Sequence, residues 1–168
     1  MKTLFLVRHA KSSRDDPKLA DQQRPLTGRG RRNASDIGKR LAKRAAKPEM
    51  MLSSPALRAL KTAQLMARKL RYKRQHIVVD ARLYACTVAD LLRVIHQLDD
   101  RLRRVMLVGH NPEMIGLARR FSREITHLPT CAVASFQFDV KSWSDIGRGS
   151  LVSLALDLPE RSLDDNAQ

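Results

Sequence analysis

Three short segments carry the residues able to do chemistry. Arg8-His9 follows an apolar run at residues 3–7, Ser53-Ser54-Pro55 with Arg58 follows one at 50–53, and Gly109-His110-Asn111-Pro112 follows one at 105–108. An imidazole supplies a nitrogen nucleophile or a hydrogen-bond donor, and a guanidinium supplies a planar fork that matches phosphate or carboxylate oxygens. Taken singly, each is ordinary: a histidine at a strand end is more often structural, and a lone arginine is usually a surface charge. Gathered at one place, two imidazoles and two guanidiniums are too much potential cation to bury without an anion. Such a set suits binding and transfer of a phosphoryl group, with one imidazole as nucleophile and the rest stabilising developing charge.

Short β-rich runs alternate with helical periodicity, which predicts the scaffold for these segments. Strands are expected at residues 3–7, 50–53, 76–79 and 105–108, with two later, antiparallel ones at 132–140 and 151–156 around the loop 141–150. Ala34, Ile37, Leu41 and Ala42 recur at helical spacing. A second helix is expected from Pro55, with Leu57, Leu60, Ala63, Gln64 and Ala67 on or beside its inner face. Thr87 to Asp90 reads as a capping box opening a third, and a fourth follows from Pro112. Alternation of this kind predicts an α/β three-layer sandwich, a mostly parallel sheet with helices on both faces. In such sheets ligands sit beyond the carboxyl ends of the strands, where all three segments fall. Ser54-Pro55 and Asn111-Pro112 both read as a capping residue followed by proline at the first helical position, so two helix N-termini are expected at the same crevice.

One domain is expected over 1–156, with 157–168, polar and acidic, as a flexible C-terminal tail. No apolar run approaches the roughly 20 residues of a membrane span. The apolar start breaks at Arg8-His9 and has no small-residue cleavage site, which speaks against a secretory signal and for a cytoplasmic location. Cys86 and Cys131 lie far apart, without CxxC spacing, and are expected to be reduced thiols. With 32 Lys+Arg against 17 Asp+Glu, the net charge of +15 predicts salt-dependent attraction to anionic partners. Aromatic residues are only 4% of the chain and none interleave with the basic runs. Specific nucleic-acid binding through base stacking is therefore not expected. Scattered His76, His96 and His127 have no metal-ligand spacing, so no metal and no cofactor is expected. Gly28-x-Gly30 does not follow a strand and is no dinucleotide fingerprint.

Arg8-His9-Ala10, then Ser53-Ser54-Pro55 with Arg58 and Thr62-Ala63, then Gly109-His110-Asn111-Pro112 resemble the histidine phosphatase superfamily, with its phosphoglycerate mutase-like fold. The short length, Arg8-His9-Ala10-Lys11-Ser12-Ser13, Arg24-Pro25-Leu26-Thr27 and Leu128-Pro129-Thr130 are similar to its SixA-type phosphohistidine phosphatase branch. The resemblance covers about residues 1 to 156. It implies that His9 is the nucleophile and becomes phosphorylated, while Arg8, Arg58 and His110 hold the phosphoryl oxygens. Surrounding cations should depress the His9 pKa and keep a nitrogen lone pair free. Ser12, Arg24, Thr27 and Asn111 are expected as further substrate-binding residues, Arg24 at the rim.

Larger members of that superfamily carry a carboxylate that protonates the leaving oxygen, in a block corresponding to residues 80–87. Here only Asp80 is acidic in that block. This favours a leaving group that needs little proton help, such as the imidazole of phosphohistidine, and counts against a mutase. Arg82 and Tyr84 are candidates for the pocket wall. A metal-independent phosphatase of protein phosphohistidine is the expected function. A small-molecule phosphomonoesterase with the same nucleophile is the alternative enzyme, and a catalytically idle basic domain that binds acidic proteins or nucleic acid is the alternative of another class. Partners are accordingly a phosphorylated protein or small phosphorylated substrate; the sequence does not specify an oligomeric state.

Overall fold

The apolar runs pair into one six-stranded sheet, and the amphipathic segments cover both of its faces. The structure, a computed structural model, describes residues 1–159. In chain order the elements are β1 (Lys2–Arg8), α1 (Gly28–Lys43), β2 (Met50–Ser53), α2 (Leu57–Leu70), β3 (Val78–Val79), α3 (Val88–His96), β4 (Arg104–Gly109), α4 (Glu113–Phe121), β5 (Val133–Phe138) and β6 (Leu151–Asp157). Across the sheet the order is β3-β2-β4-β1-β5-β6. The first four strands in that order are parallel, and β5 and β6 extend the sheet antiparallel.

Alternation along the strands divides the core in two. Phe5, Val7, Met106 and Val108 face α1 and α2, meeting Ile37, Leu41, Ala63 and Met66. Leu4, Leu6, Val105 and Leu107 face the other way, against Ile95, Met114, Leu117 and Phe121 of α3 and α4. The central residues of both strands, 4–7 in β1 and 105–108 in β4, are buried and apolar, as a parallel sheet between two helical layers requires; Lys2, buried at the start of β1, donates to the Leu102 carbonyl.

Register is what brings the chemistry together. Arg8 lies opposite Gly109 across β1 and β4, and Ser53 lies opposite Val108 across β2 and β4. The three strands therefore release Arg8-His9, Ser54 and His110 at one level of the same edge.

Local differences from the sequence reading have local causes. Thr87 and Asp90 do form a reciprocal capping box on α3. The other two helix starts fall later than expected: Ala56 is the N-cap of α2 and Pro112 that of α4. Ser54 is drawn out of the cap position because its hydroxyl also meets His110, while still accepting from Ala56 N at 3.2 Å. The inner face of α2 is Arg58, Ala59, Thr62, Ala63, Met66, Ala67 and Leu70, with Leu57 and Leu60 only half-buried. Small residues serve there because α1 packs close: a Cβ on Gly38 would lie 3.1 Å from Met66 Cα. His76 sits in a turn and β3 is only two residues long. Asp157, expected to begin a flexible tail, instead ends β6 and is buried, its carboxylate bound by Arg44 Nη1 and Nη2 at 3.1 and 2.5 Å. Residues 160–168 of that expected tail lie outside the described residues.

Candidate active site

His9 is held from three sides. Its backbone N–H donates to Gly109 O at 3.0 Å, and its carbonyl accepts from Cys131 N at 3.1 Å. Cys131 N is shared with Arg8 O at 3.1 Å. Cys131 makes this double contact in the left-handed region, at φ 65°, a conformation that costs a non-glycine residue about 1 kcal/mol. From the α2 side, Thr62 Oγ1 accepts from Ala10 N at 2.9 Å and donates to Arg58 O at 2.7 Å, fixing one chemical segment against another. Thr62 and Cys131 are thus positioning residues. Only the Thr62-Ala63 pair of the resemblance, and nothing in the sequence for Cys131, hinted at this.

The His9 ring is 8% exposed and places Nδ1 2.7 Å from Ala10 O. A carbonyl only accepts, so Nδ1 carries the proton and Nε2 keeps its lone pair. Burial pushes the His9 pKa down to about 4; the Ala10 carbonyl opposes this, and the charges of Arg58, Arg8 and Arg24 reinforce it. The cations act in the expected direction, but loss of hydration is the larger cause. His110, also 8% exposed, stands with its ring centroid 5.1 Å from that of His9. Its Nε2 lies 2.8 Å from Ser54 Oγ. Burial, then His9 and Arg58, push its pKa down to about 3.

Arg58 is buried in the first turn of α2 and reaches back to Asp21, donating from Nη1 to the carbonyl at 2.7 Å and from Nη2 to Oδ2 at 2.9 Å. Arg8 donates from Nη1 to Leu128 O at 3.3 Å. Arg24 donates to Ser12 Oγ at 2.5 Å, and burial and the Arg58 charge both lower its pKa. Ser12 and Arg24 are therefore neighbours at this edge. Thr27 is committed to the scaffold: its Oγ1 caps α1 by accepting from Gly30 N at 3.0 Å. Gly30 permits the close approach of that helix to the Lys11 backbone, where a Cβ would fall 2.2 Å from Lys11 O. Asn111 likewise braces loops, donating to Leu128 O at 2.9 Å and accepting from Ile115 N at 3.2 Å.

Two further residues, Asp21 and Tyr84, enlarge the site. Asp21, in the loop between β1 and α1, was not foreseen. Tyr84, a candidate for the wall, donates from its hydroxyl to Asp21 Oδ2 at 2.6 Å and meets His110 edge-on with centroids 5.6 Å apart. Tyr84, then Arg58, hold the Asp21 carboxyl at about 2 despite some burial. Arg82 takes no such place; it pairs with Asp80 at 2.8 Å and reaches Gln97.

The donors converge without matching acceptors. Among the described residues, seven buried side-chain N or O atoms have no hydrogen-bond partner, and five belong to this cluster: Arg8 Nε, Arg24 Nε and Nη1, Arg58 Nε and His110 Nδ1, of which only Arg24 Nη1 has a charge partner, Asp21 Oδ1 at 3.5 Å. An unsatisfied buried donor costs about 1–3 kcal/mol, so their concentration marks a place built for an oxyanion. Among the described residues no group of three or more His, Cys, Asp or Glu is arranged to hold a metal, and no helix is long and apolar enough to cross a membrane. Cys86 and Cys131 are free thiols.

Comparison with known proteins agrees with this geometry. An uncharacterized protein of Mycobacterium tuberculosis is 31% identical over 118 residues, 67% of each chain. A candidate phosphohistidine phosphatase SixA from Agrobacterium tumefaciens is 27% identical, with a TM-score of 0.76 over 92% of this chain and 97% of its own. A candidate SixA from Nakamurella multipartitia shares the fold more closely, with a TM-score of 0.82 at 21% identity, covering 94% and 96%. The sequence pattern of the histidine phosphatase superfamily, branch 1, matches residues 4–91. By this match, the chain belongs to the histidine phosphatase superfamily.

Proposed function

We propose that this chain is a cytoplasmic, metal-independent phosphatase that removes phosphate from protein phosphohistidine by way of His9, its catalytic unit running from Met1 through the end of β6. The observation that carries the reading is the convergence of unpartnered buried donors from Arg8, Arg24, Arg58 and His110 beside an imidazole whose Nε2 is free. In the first step the His9 Nε2 lone pair forms a bond to phosphorus as the phosphorus–nitrogen bond of the substrate breaks. The departing imidazole nitrogen takes up a proton from solvent. Arg8, Arg58 and His110 donate to the three phosphoryl oxygens while charge shifts among them, which is most of what catalysis of this transfer requires. Water then attacks phosphorus, the bond to Nε2 breaks, and inorganic phosphate leaves with neutral His9 restored and the water's proton lost to solvent.

Phosphohistidine is favoured over an alkyl phosphate by the state of two carboxylates, Asp80 and Asp21. Asp80 is tied to Arg82, and Asp21, with its pKa at about 2, is ionised at neutral pH. Neither is ready to protonate an alkoxide, a service that a positioned acid provides at roughly 10²–10⁴-fold. Imidazole leaves without it.

His9→Ala should abolish turnover of a phosphohistidine-bearing protein while leaving the far-ultraviolet dichroism unchanged. Acid-free quenching of the wild-type enzyme during turnover should trap a base-stable, acid-labile phosphate on His9. Near-normal rates in His9→Ala, or a label on another residue, would sink the reading.

A further inference from the structure

We infer that the catalytic edge continues into a subsite for an apolar group attached to the phosphoryl acceptor atom of the substrate, in a groove running from Arg8 and Asn111 to Leu156 and Leu158. The groove has a volume of about 720 Å³, and Ile115 and Leu128 form part of its wall. It rests on the functional reading above and deepens it by naming the chemistry that lies beside the phosphorylated group.

Topology sets its place. Strand β6 runs parallel to β1, because each is antiparallel to β5 between them. The ends of β1 and β6, at Arg8 and Asp157, therefore lie at the same edge of the sheet. Two strand spacings separate them, about 10 Å, the span of a ring system or one large side chain beside the phosphorylated group. The side-chain direction also fits. Leu4 and Leu6 face α3 and α4, so Arg8, two residues on, projects to that side. Leu156, opposite Ala134 of that same layer, does so too.

Continuity with the phosphoryl site is structural. Leu128 O accepts from both Arg8 Nη1 and Asn111 Nδ2. One loop thus orients a guanidinium for the anion and walls the groove beside it. A ligand held by Arg8 at its phosphoryl end has this groove as its neighbouring surface.

Away from Arg8 and Asn111 the lining is apolar except for Glu124, Thr126 and His127, and its apolar part points to the chemical class. Leu156 and Leu158 are 41% and 44% exposed, in a chain that carries a net charge of +15. Strand β6 itself has no basic residue. Apolar surface left open beside an anion site matches a ligand that is anionic at one end and apolar at the other, since burial of the apolar end adds affinity in proportion to its area.

Binding, without turnover, tests this. Methylphosphonate and (2-naphthylmethyl)phosphonate share a headgroup whose carbon–phosphorus bond the enzyme does not cleave. The naphthyl compound should bind the wild-type protein at least about tenfold more tightly, as expected for burial of one face of the ring system. Leu156→Ser should erase most of that advantage and leave methylphosphonate within twofold; Leu158→Ser, beyond the strand, provides a second variant should the first perturb β6. Equal affinity for the two phosphonates, equal effects of both variants on them, or equally tight binding of 2-naphthalenemethanol, which lacks the anion, would each overturn the inference. Failure of the His9 mechanism is separate: it would appear as lost turnover with this difference in binding intact.

Discussion

Two aspartates, Asp21 and Asp80, are paired with arginines in similar ways and differ in which arginine they hold. Asp80 leaves β3, accepts from Arg82 N at 2.9 Å and binds the Arg82 guanidinium through Nε and Nη2. That partnership is closed within three residues. Asp21 opens a single 3-10 turn, Asp21–Gln23, in an otherwise irregular loop, yet its carbonyl and carboxylate both hold Arg58, 37 residues away, its Oδ2 also takes the Tyr84 hydroxyl, and its Oδ1 lies 3.5 Å from Arg24 Nη1. A carboxylate at a strand end is not thereby near the chemistry, and one in a connecting loop can be. What counts is whether its partner belongs to the site. Asp21 competes with an incoming phosphoryl group for Arg58, whereas Asp80 competes for nothing the substrate needs.

The largest effect should come from removing the shared partner. Arg58→Ala should lower kcat/KM by about 10²–10³, the usual cost of losing one donor to transition-state charge. Arg58→Lys should recover only part of it, because an ammonium cannot reproduce the planar fork. To the extent that Asp21 acts through Arg58, the effect of Asp21→Asn should shrink in the Arg58→Ala background; the part that remains reports its own charge and its contact with Arg24 Nη1 at 3.5 Å, and a double-mutant cycle separates the two. Full activity in Arg58→Lys would reduce Arg58 to bulk charge.

This contrast also marks what could be read from the chain. The strand-end positions of Arg8, His9 and His110 and the parallel sheet were legible because both follow from local periodicity: apolar runs of four to six residues, each ending in a charged or polar cluster. The two antiparallel strands at the far edge were legible for the same reason. Asp21 was not, because residues 14–24 carry no period, and the docking of that loop depends on a tertiary contact to Arg58. Cys131 was hidden because its role is a backbone one. The inner face of α2 was legible in part: Ala63 and Ala67 lie on it as the periodicity indicates, whereas the close approach of the two helices at Gly38 puts Ala59, Thr62 and Met66 there and leaves Leu57 and Leu60 half-buried.

A smaller effect is expected from Asp21→Asn alone. The Asp21 carboxylate is ionised at neutral pH and places a negative charge where the phosphoryl oxygens would add more. Replacing it with an amide removes that repulsion and leaves the main-chain bond from Asp21 O to Arg58 in place. KM for a phosphohistidine substrate and the inhibition constant of inorganic phosphate should both fall by about three- to tenfold, the scale of one charge interaction at a partly solvated site. The kcat for phosphoramidate substrates should stay within twofold. A loss of kcat confined to alkyl phosphates would instead make Asp21 the proton donor and break the contrast in its present form.

Asp80→Asn should produce the smallest change, and its character is as informative as its size. Because Arg82 is the nearest charge and is itself exposed, kcat/KM should stay within twofold for phosphoramidate, aryl and alkyl substrates alike. Stability should fall by about 0.5–1 kcal/mol, the range for a solvent-exposed ion pair. The pH dependence follows from the direction of the shift: hydrogen bonds and charge from Arg82 lower the Asp80 pKa in the folded chain. A carboxyl group with a depressed folded-state pKa stabilises fully above its unfolded value of about 3.9 and loses that contribution as pH falls toward the folded value. Denaturant unfolding of wild type and Asp80→Asn should therefore differ at pH 7 and converge below about pH 4. A difference that persists in acid would mean that the asparagine disturbs the turn at residues 81–83 rather than the ion pair. An alkyl-specific loss of rate would transfer to Asp80 the connection with the site that its present partner denies it.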